Sequence, residues 1–248
     1  MEGAVIKELA ERLRKPELLS DSVIAAPGDW KFYDPAALVQ PGPKAAAIKV
    51  ATLGALRDYL TANRDGLPLD KLIVHVETAN RVTVGGALRE RSRDRELFIT
   101  AEAQDLTEGF LGKFHSSEDF NIGLQVRFVD ADQRASLLNM VSSVKTEQSA
   151  EAIDSGVAQT LEARSGAVLK SHLTLPNPVT LTPFRTFRDI MQPSSPFVLR
   201  AQTDRGELPT LALFEADGGT WKLTAISRIR DWLAIELKDL SPAVAILA

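Results

Sequence analysis

Three apolar stretches follow one another between Lys71 and Glu102: KLIVHVE (71–77), RVTVGG (81–86) and LFITAE (97–102). Each is short and rich in β-branched residues, and no long helical pattern separates one from the next. A doubly wound sheet needs strands that alternate with long helices, so this order favours an α+β fold of mixed sheets with a few helices.

The rest of the chain fits that class. Thr52 is a good N-cap, and Leu53, Leu56, Tyr59 and Leu60 then recur at helical spacing to Asn63. Asp65-Gly66 marks a turn. The spacing predicts a short helix over 106–113, a loop at HSSEDF (115–120) and a strand over 122–129, where Ile122, Leu124, Val126 and Phe128 alternate. Asp130 or Asp132 caps a further helix running to about Thr146, with Leu137, Leu138 and Val141 in its stripe. A weaker amphipathic stretch follows to Leu161, then a strand at 168–175 that ends at Pro-Asn-Pro. Strands are expected at 197–202, 210–216 and 221–226, and 229–240 reads as helix or strand. EADGG (215–219) suits a β-hairpin turn, since Asp217-Gly218 supplies the positive φ such turns require.

The N-terminal region differs in texture. Residues 4–14 form a short amphipathic helix stopped by Pro16. From Ser20 to Lys44 the chain is punctuated by Pro27, Pro35, Pro41 and Pro43, yet it carries Trp30, Phe32 and Tyr33. Proline resists regular structure, and a plain linker has no use for exposed aromatics. The segment reads as an extended arm that docks on its own body or on a neighbouring subunit. The expected organisation is therefore an N-terminal helix and arm over 1–44 and an α+β body over 45–248.

Arg89, Arg91, Arg93 and Arg95 alternate, with Glu90, Asp94 and Glu96 among them. On a strand the four arginines would share a face. Either the segment is a solvated hairpin in which acids balance the arginines, or it is a charged loop that pairs with a neighbour. In LTPFRTFRDIMQPSSPF (181–197), Phe184, Phe187 and Ile190 fall at helical spacing toward the core. That leaves Arg185 and Arg188 outward, available to a partner subunit.

Composition narrows the chemistry. The 248 residues carry no cysteine, which excludes disulfides, thiolate metal sites and a cysteine nucleophile. The net charge of −4 does not favour generic duplex binding. No apolar run is long enough to span a bilayer and the first residues lack a signal-peptide pattern, so a membrane partner is not expected and the setting is the cytoplasm. His75, His115 and His172 are far apart in sequence and match no metal-binding spacing. VTVGGALRE lacks the third glycine of a dinucleotide site and the Lys-Ser/Thr of a phosphate loop. Asp130 and Asp132 are explained by capping. No cofactor and no catalytic residue is assigned, although a site assembled from remote residues would leave no trace in sequence.

The strings PFRTF (183–187), QPSSPF (192–197) and EADGGTWK (215–222), with FVDADQRASLLNMVSS (128–143), resemble the YfdQ-like family of phage and prophage proteins, over about 45–237. The resemblance implies a phage or prophage gene acting in the cytoplasm of a bacterial host, and it brings no catalytic residues. Phage genomes are rich in self-assembling proteins, and an arm, a charged hairpin and an α+β body are parts that the tailed-phage major capsid fold also combines. The leading expectation is a non-enzymatic homo-oligomer, such as a small capsid-like icosahedral shell. Its subunit-contact candidates are Trp30, Phe32, Tyr33, Arg89, Arg91, Arg93, Arg95, Arg185 and Arg188. One alternative is an accessory nucleic-acid-binding protein, with Arg185, Arg188 and Arg200 beside Phe184, Phe187 and Phe197 as a stacking surface. The other is an enzyme with a fold-assembled site.

Overall fold

A computed structural model describes residues 23–25, 31–33, 45–89, 93–144, 150–154, 159–165, 168–203, 209–240 and 244–248. The helix expected over 4–14, Trp30 and Arg91 lie outside these residues. The chain divides into two compact units, Met1–Ala46 and Ala47–Ala248. In the first, β1 (Val23–Ala25) and β2 (Lys31–Tyr33) pair antiparallel, with Ile24 opposite Phe32.

The second unit is α+β. Its five-stranded sheet contains β3 (Ile48–Val50), β4 (Ile73–Thr78), β5 (Arg81–Gly85), β6 (Leu97–Glu102) and β14 (Ala245–Leu247), in the order β14-β4-β5-β6-β3. The three stretches that open the sequence argument form its antiparallel centre, and both edge strands run parallel to their neighbours. Two helices cover one face. The first, α1 (Leu53–Ala62), starts where the Thr52 hydroxyl accepts the Ala55 N–H at 3.2 Å, and it ends at Asn63 in a left-handed conformation. It buries Leu53, Leu56 and Leu60 against Val74, Val84 and Ile99. The last helix, α4 (Thr220–Glu236), buries Ala225, Ile229 and Leu233, spaced four apart, and Ile229 and Leu233 join the same core.

A second sheet has the order β11-β12-β13-β7 and is antiparallel throughout. Its strands are β7 (His115–Ser116), β11 (Val179–Leu181), β12 (Ser195–Gln202) and β13 (Thr210–Glu215). In β12, Phe197, Leu199 and Ala201 alternate into the core. They meet Phe120 and Leu124 of α2 (Ser117–Arg127) and Leu137 and Val141 of α3 (Asp132–Val144). A third antiparallel sheet joins β8 (Ala150–Asp154), β9 (Gln159–Ser165) and β10 (Val168–Thr174), in the order β10-β9-β8. There are thus four α-helices among the described residues.

Several expectations fail for identifiable reasons. Residues 106–112 are turns rather than a helix. Of the strand expected over 122–129, residues 122–127 belong to α2. Ser116 accepts the Asp119 N–H at 3.1 Å and donates to its carboxylate at 2.7 Å, which starts a helix there. Its buried residues are then Phe120 and Leu124, followed by Phe128, spaced four apart, while Ile122 and Val126 are 53% and 60% exposed. In the weaker amphipathic stretch expected from Glu147 to Leu161, the described residues form β8 and the start of β9. The strand expected at 221–226 belongs to α4, so EADGG is a strand-to-helix turn and not a hairpin.

One glycine is fixed by contact. A Cβ on Gly123 of α2 would collide with the Phe110 ring. Gly123→Ala should therefore destabilise the protein by about 1–3 kcal/mol through overpacking. A denaturant midpoint equal to that of the wild type would contradict this packing.

Candidate functional site

A dense polar network lies where residues 183–195 cross between the two cores. This segment is neither helix nor strand over 184–194. Pro183 bridges Phe128, and Phe184 donates its N–H to the Arg127 carbonyl at 2.8 Å while accepting the Leu106 N–H at 3.0 Å. The next residue, Arg185, turns inward and is 1% exposed. Its Nη1 donates to Glu215 at the end of β13 and its Nη2 to the Ser195 hydroxyl. The guanidinium carbon lies 4.0 Å from the centroid of the Trp221 ring, at the first turn of α4. Ser195 in turn donates to Asp217 at 2.6 Å. Asp217 also accepts the backbone N–H of Gly219, the N-cap residue of α4, at 2.9 Å and that of Trp221 in its first turn at 3.3 Å.

The neighbouring residues continue this tying. Thr186 donates to the Ala79 carbonyl in the β4–β5 turn. Phe187 and Ile190 enter the core under the five-stranded sheet. Asp189 accepts the N–H groups of Leu53 and Gly54 at 3.1 and 3.0 Å, at the start of α1. Gln192 folds back to accept the N–H groups of Arg185 and Thr186 and to donate to the Phe187 carbonyl.

Electrostatics follow from burial. Burial pulls the Arg185 guanidinium pKa down, opposed by the charges of Glu215 and Asp217. Burial by itself would raise the Asp217 carboxyl. The hydrogen bonds from Ser195, Gly219 and Trp221, with the charge of Arg185, outweigh it and hold that carboxyl below its ordinary value. Ser195 is almost fully buried, and its hydroxyl is committed to Asp217 as donor and to Arg185 as acceptor. The arrangement is a fastening of charged and polar groups.

This corrects the expectation for Arg185, which is not an outward subunit contact. In irregular backbone, side-chain direction does not follow helical spacing, and buried acceptors decide it. Arg188 is exposed as expected, with its guanidinium 3.5 Å from the centroid of the half-buried Phe184 ring. Phe187 and Phe197 are buried, so the stacking surface for nucleic acid is not at the surface as a whole. The described arginines of this segment, Arg89, Arg93 and Arg95, do not lie on a strand. Arg89 pairs with Glu96, Arg95 donates to the Gly86 carbonyl at 3.0 Å, and Arg93 is exposed with φ at 55°. Phe32 and Tyr33 fall in β2.

The histidines remain separate. His75 is exposed in β4 and His172 lies in β10. His115 donates from Nε2 to the Phe110 carbonyl at 2.9 Å and stacks on the Phe110 ring, at one side of a groove of about 320 Å³ that Asp119, Ile122, Val126 and Arg127 also line. A wider cleft of about 600 Å³ includes Lys49, Asn80, Glu102, Asp105 and Glu108. Among the described residues, no group of three or more His, Asp or Glu side chains is placed to hold a metal ion, and no helix is long and apolar enough to cross a membrane. No family model, no curated protein and no solved structure matches the chain.

Two predictions follow from the network. Arg185→Met leaves Glu215 and Asp217 without their cation and should cost about 3–5 kcal/mol, whereas Arg188→Met should cost at most about 1 kcal/mol, the scale of an exposed cation–π contact. Equal losses in chemical denaturation would contradict the assignment. The second concerns acid. The folded-state pKa of Asp217 lies below its unfolded value, so its contribution is complete above the ordinary carboxylate value of 3.8 and is lost as pH falls through the folded value. Asp217→Asn should therefore flatten the acid limb of the stability–pH curve, and an unchanged limb would count against this role.

Proposed function

We propose that this protein is a phage- or prophage-encoded, non-enzymatic subunit that assembles with copies of itself in the cytoplasm of a bacterial host. The form of assembly is a large homo-oligomer such as a small capsid-like shell. The genetic context rests on the YfdQ-like strings, PFRTF and EADGGTWK above all. Self-assembly rests chiefly on one surface feature. Phe114 and Phe214 form a T-shaped pair at 6.1 Å, yet they are 42% and 36% exposed. Phe214 lies opposite the half-buried Val198 on β12, which extends the apolar surface across the sheet.

Exposed aromatic pairs of this kind gain free energy when a partner covers them, and aromatic residues are enriched at such contacts. A second copy of the chain is the partner present wherever the protein is made. Light scattering coupled to size-exclusion chromatography tests the reading. The expected mass is a large multiple of 27.0 kDa, falling on substitution of Phe114→Ser with Phe214→Ser. A wild-type peak at the monomer mass at micromolar concentration would rule the proposal out.

A further inference from the structure

We infer that one buried water molecule bridges Arg185 and Trp221 and completes the network that fastens the two cores. A guanidinium carries five N–H donors, one on Nε and two on each terminal nitrogen. In Arg185 one terminal nitrogen donates to Glu215 and the other to Ser195. Its Nε is buried and meets no acceptor among the described residues. The Trp221 indole Nε1 is in the same position: buried, and without an acceptor. The two residues are 1% and 7% exposed, and their planar groups are neighbours at 4.0 Å. Orphan donors buried on neighbouring residues are costly, which is why buried N–H groups in folded proteins so regularly find a partner.

The nearby carboxylates accept from other donors and not from these two nitrogens. Glu215 accepts from Arg185, and Asp217 accepts from Ser195, Gly219 and Trp221. The missing acceptor is therefore supplied from solvent. Charge selects its class. Glu215, Asp217 and Asp105 all act on the single cation of Arg185, so a further anion would be repelled. A neutral oxygen meets the need: water accepts both N–H groups with its two lone pairs. It also has two protons to donate to the spare lone pairs of the carboxylates. Buried waters of this kind occur about once per 27 residues in globular proteins and typically make about three hydrogen bonds.

Two measurements on the full chain test this. A crystal structure that shows ordered solvent should place one solvent peak within about 3.2 Å of both Arg185 Nε and Trp221 Nε1. In solution, the chain has three tryptophans, so its spectrum holds three indole N–H signals, and Trp221→Phe identifies the one that disappears. That signal should show a cross-peak to a long-lived water while resisting exchange with bulk solvent. A solvent peak at only one of the two nitrogens or at neither, a protein acceptor in its place, or an indole signal without a water cross-peak would overturn the inference. If Trp221→Phe does not fold, the wild-type crystal structure decides alone.

Discussion

The body of this protein depends on a buried arginine. Arg185 sits where β13 ends, β12 begins and α4 starts, and it contacts all three through Glu215, Ser195 and Trp221. The residues on either side extend its reach. Through Phe184 the segment holds the end of α2 and the turn at Leu106. Thr186 holds the β4–β5 turn and Asp189 the start of α1. One apolar cluster lies under the five-stranded sheet and another under the four-stranded sheet. The segment sends Phe187 and Ile190 into the first and leads directly into Phe197 of the second. It does this without regular backbone, so its shape is set by these partners rather than by its own hydrogen-bond ladder.

An arginine in such a place is an odd choice if stability alone is considered. Burying an ion pair costs several kcal/mol of desolvation per charge, and well-packed apolar residues often do as well. What the arginine adds is direction. A guanidinium offers donors in a rigid plane, and its partners must stand at fixed angles to it. Leucine would tolerate many arrangements of the two sheets; Arg185 is satisfied in few. Asp217 adds a second constraint, because the carboxylate that receives Ser195 also accepts a backbone N–H from the first turn of α4. Helix position and strand position are thereby coupled through one pair of side chains.

Much of the fold was legible before the structure. The α1 cap at Thr52, the three central strands, α3, and the strands at 197–202 and 210–215 follow directly from pattern and capping chemistry. The misreadings share a physical cause. Ile122, Leu124, Val126 and Phe128 alternate by accident, because two of the four are surface residues of a helix. A strand pattern assumes that every apolar residue is buried, and Ile122 and Val126 are not. EADGG met a similar ambiguity: the same Asp-Gly chemistry that turns a hairpin also caps a helix, and only Trp221, Ala225, Ile229 and Leu233 at spacing four separate the two. Arg185 could not have been placed from sequence. Its partners are 10 and 30 residues away, and nothing local announces them.

Exposure and burial divide the residue types in an instructive way. Arg185 and Ser195 are buried in the fastening, while Phe114, Phe214, Ile122 and Val126 stand partly or largely in solvent. A chain selected only for the stability of its monomer would tend toward the opposite arrangement, since surface apolar groups contribute little to folding and buried ions cost desolvation. The inversion is coherent if two demands act together. Under the proposed self-assembly, the interior needs polar groups that define one relative placement of two sheets, and the surface needs apolar groups that another copy can cover. A subunit that must repeat its shape accurately across many copies is subject to both demands. Rigidity at the Arg185 junction would then keep the Phe114–Phe214 surface in the same place on every copy.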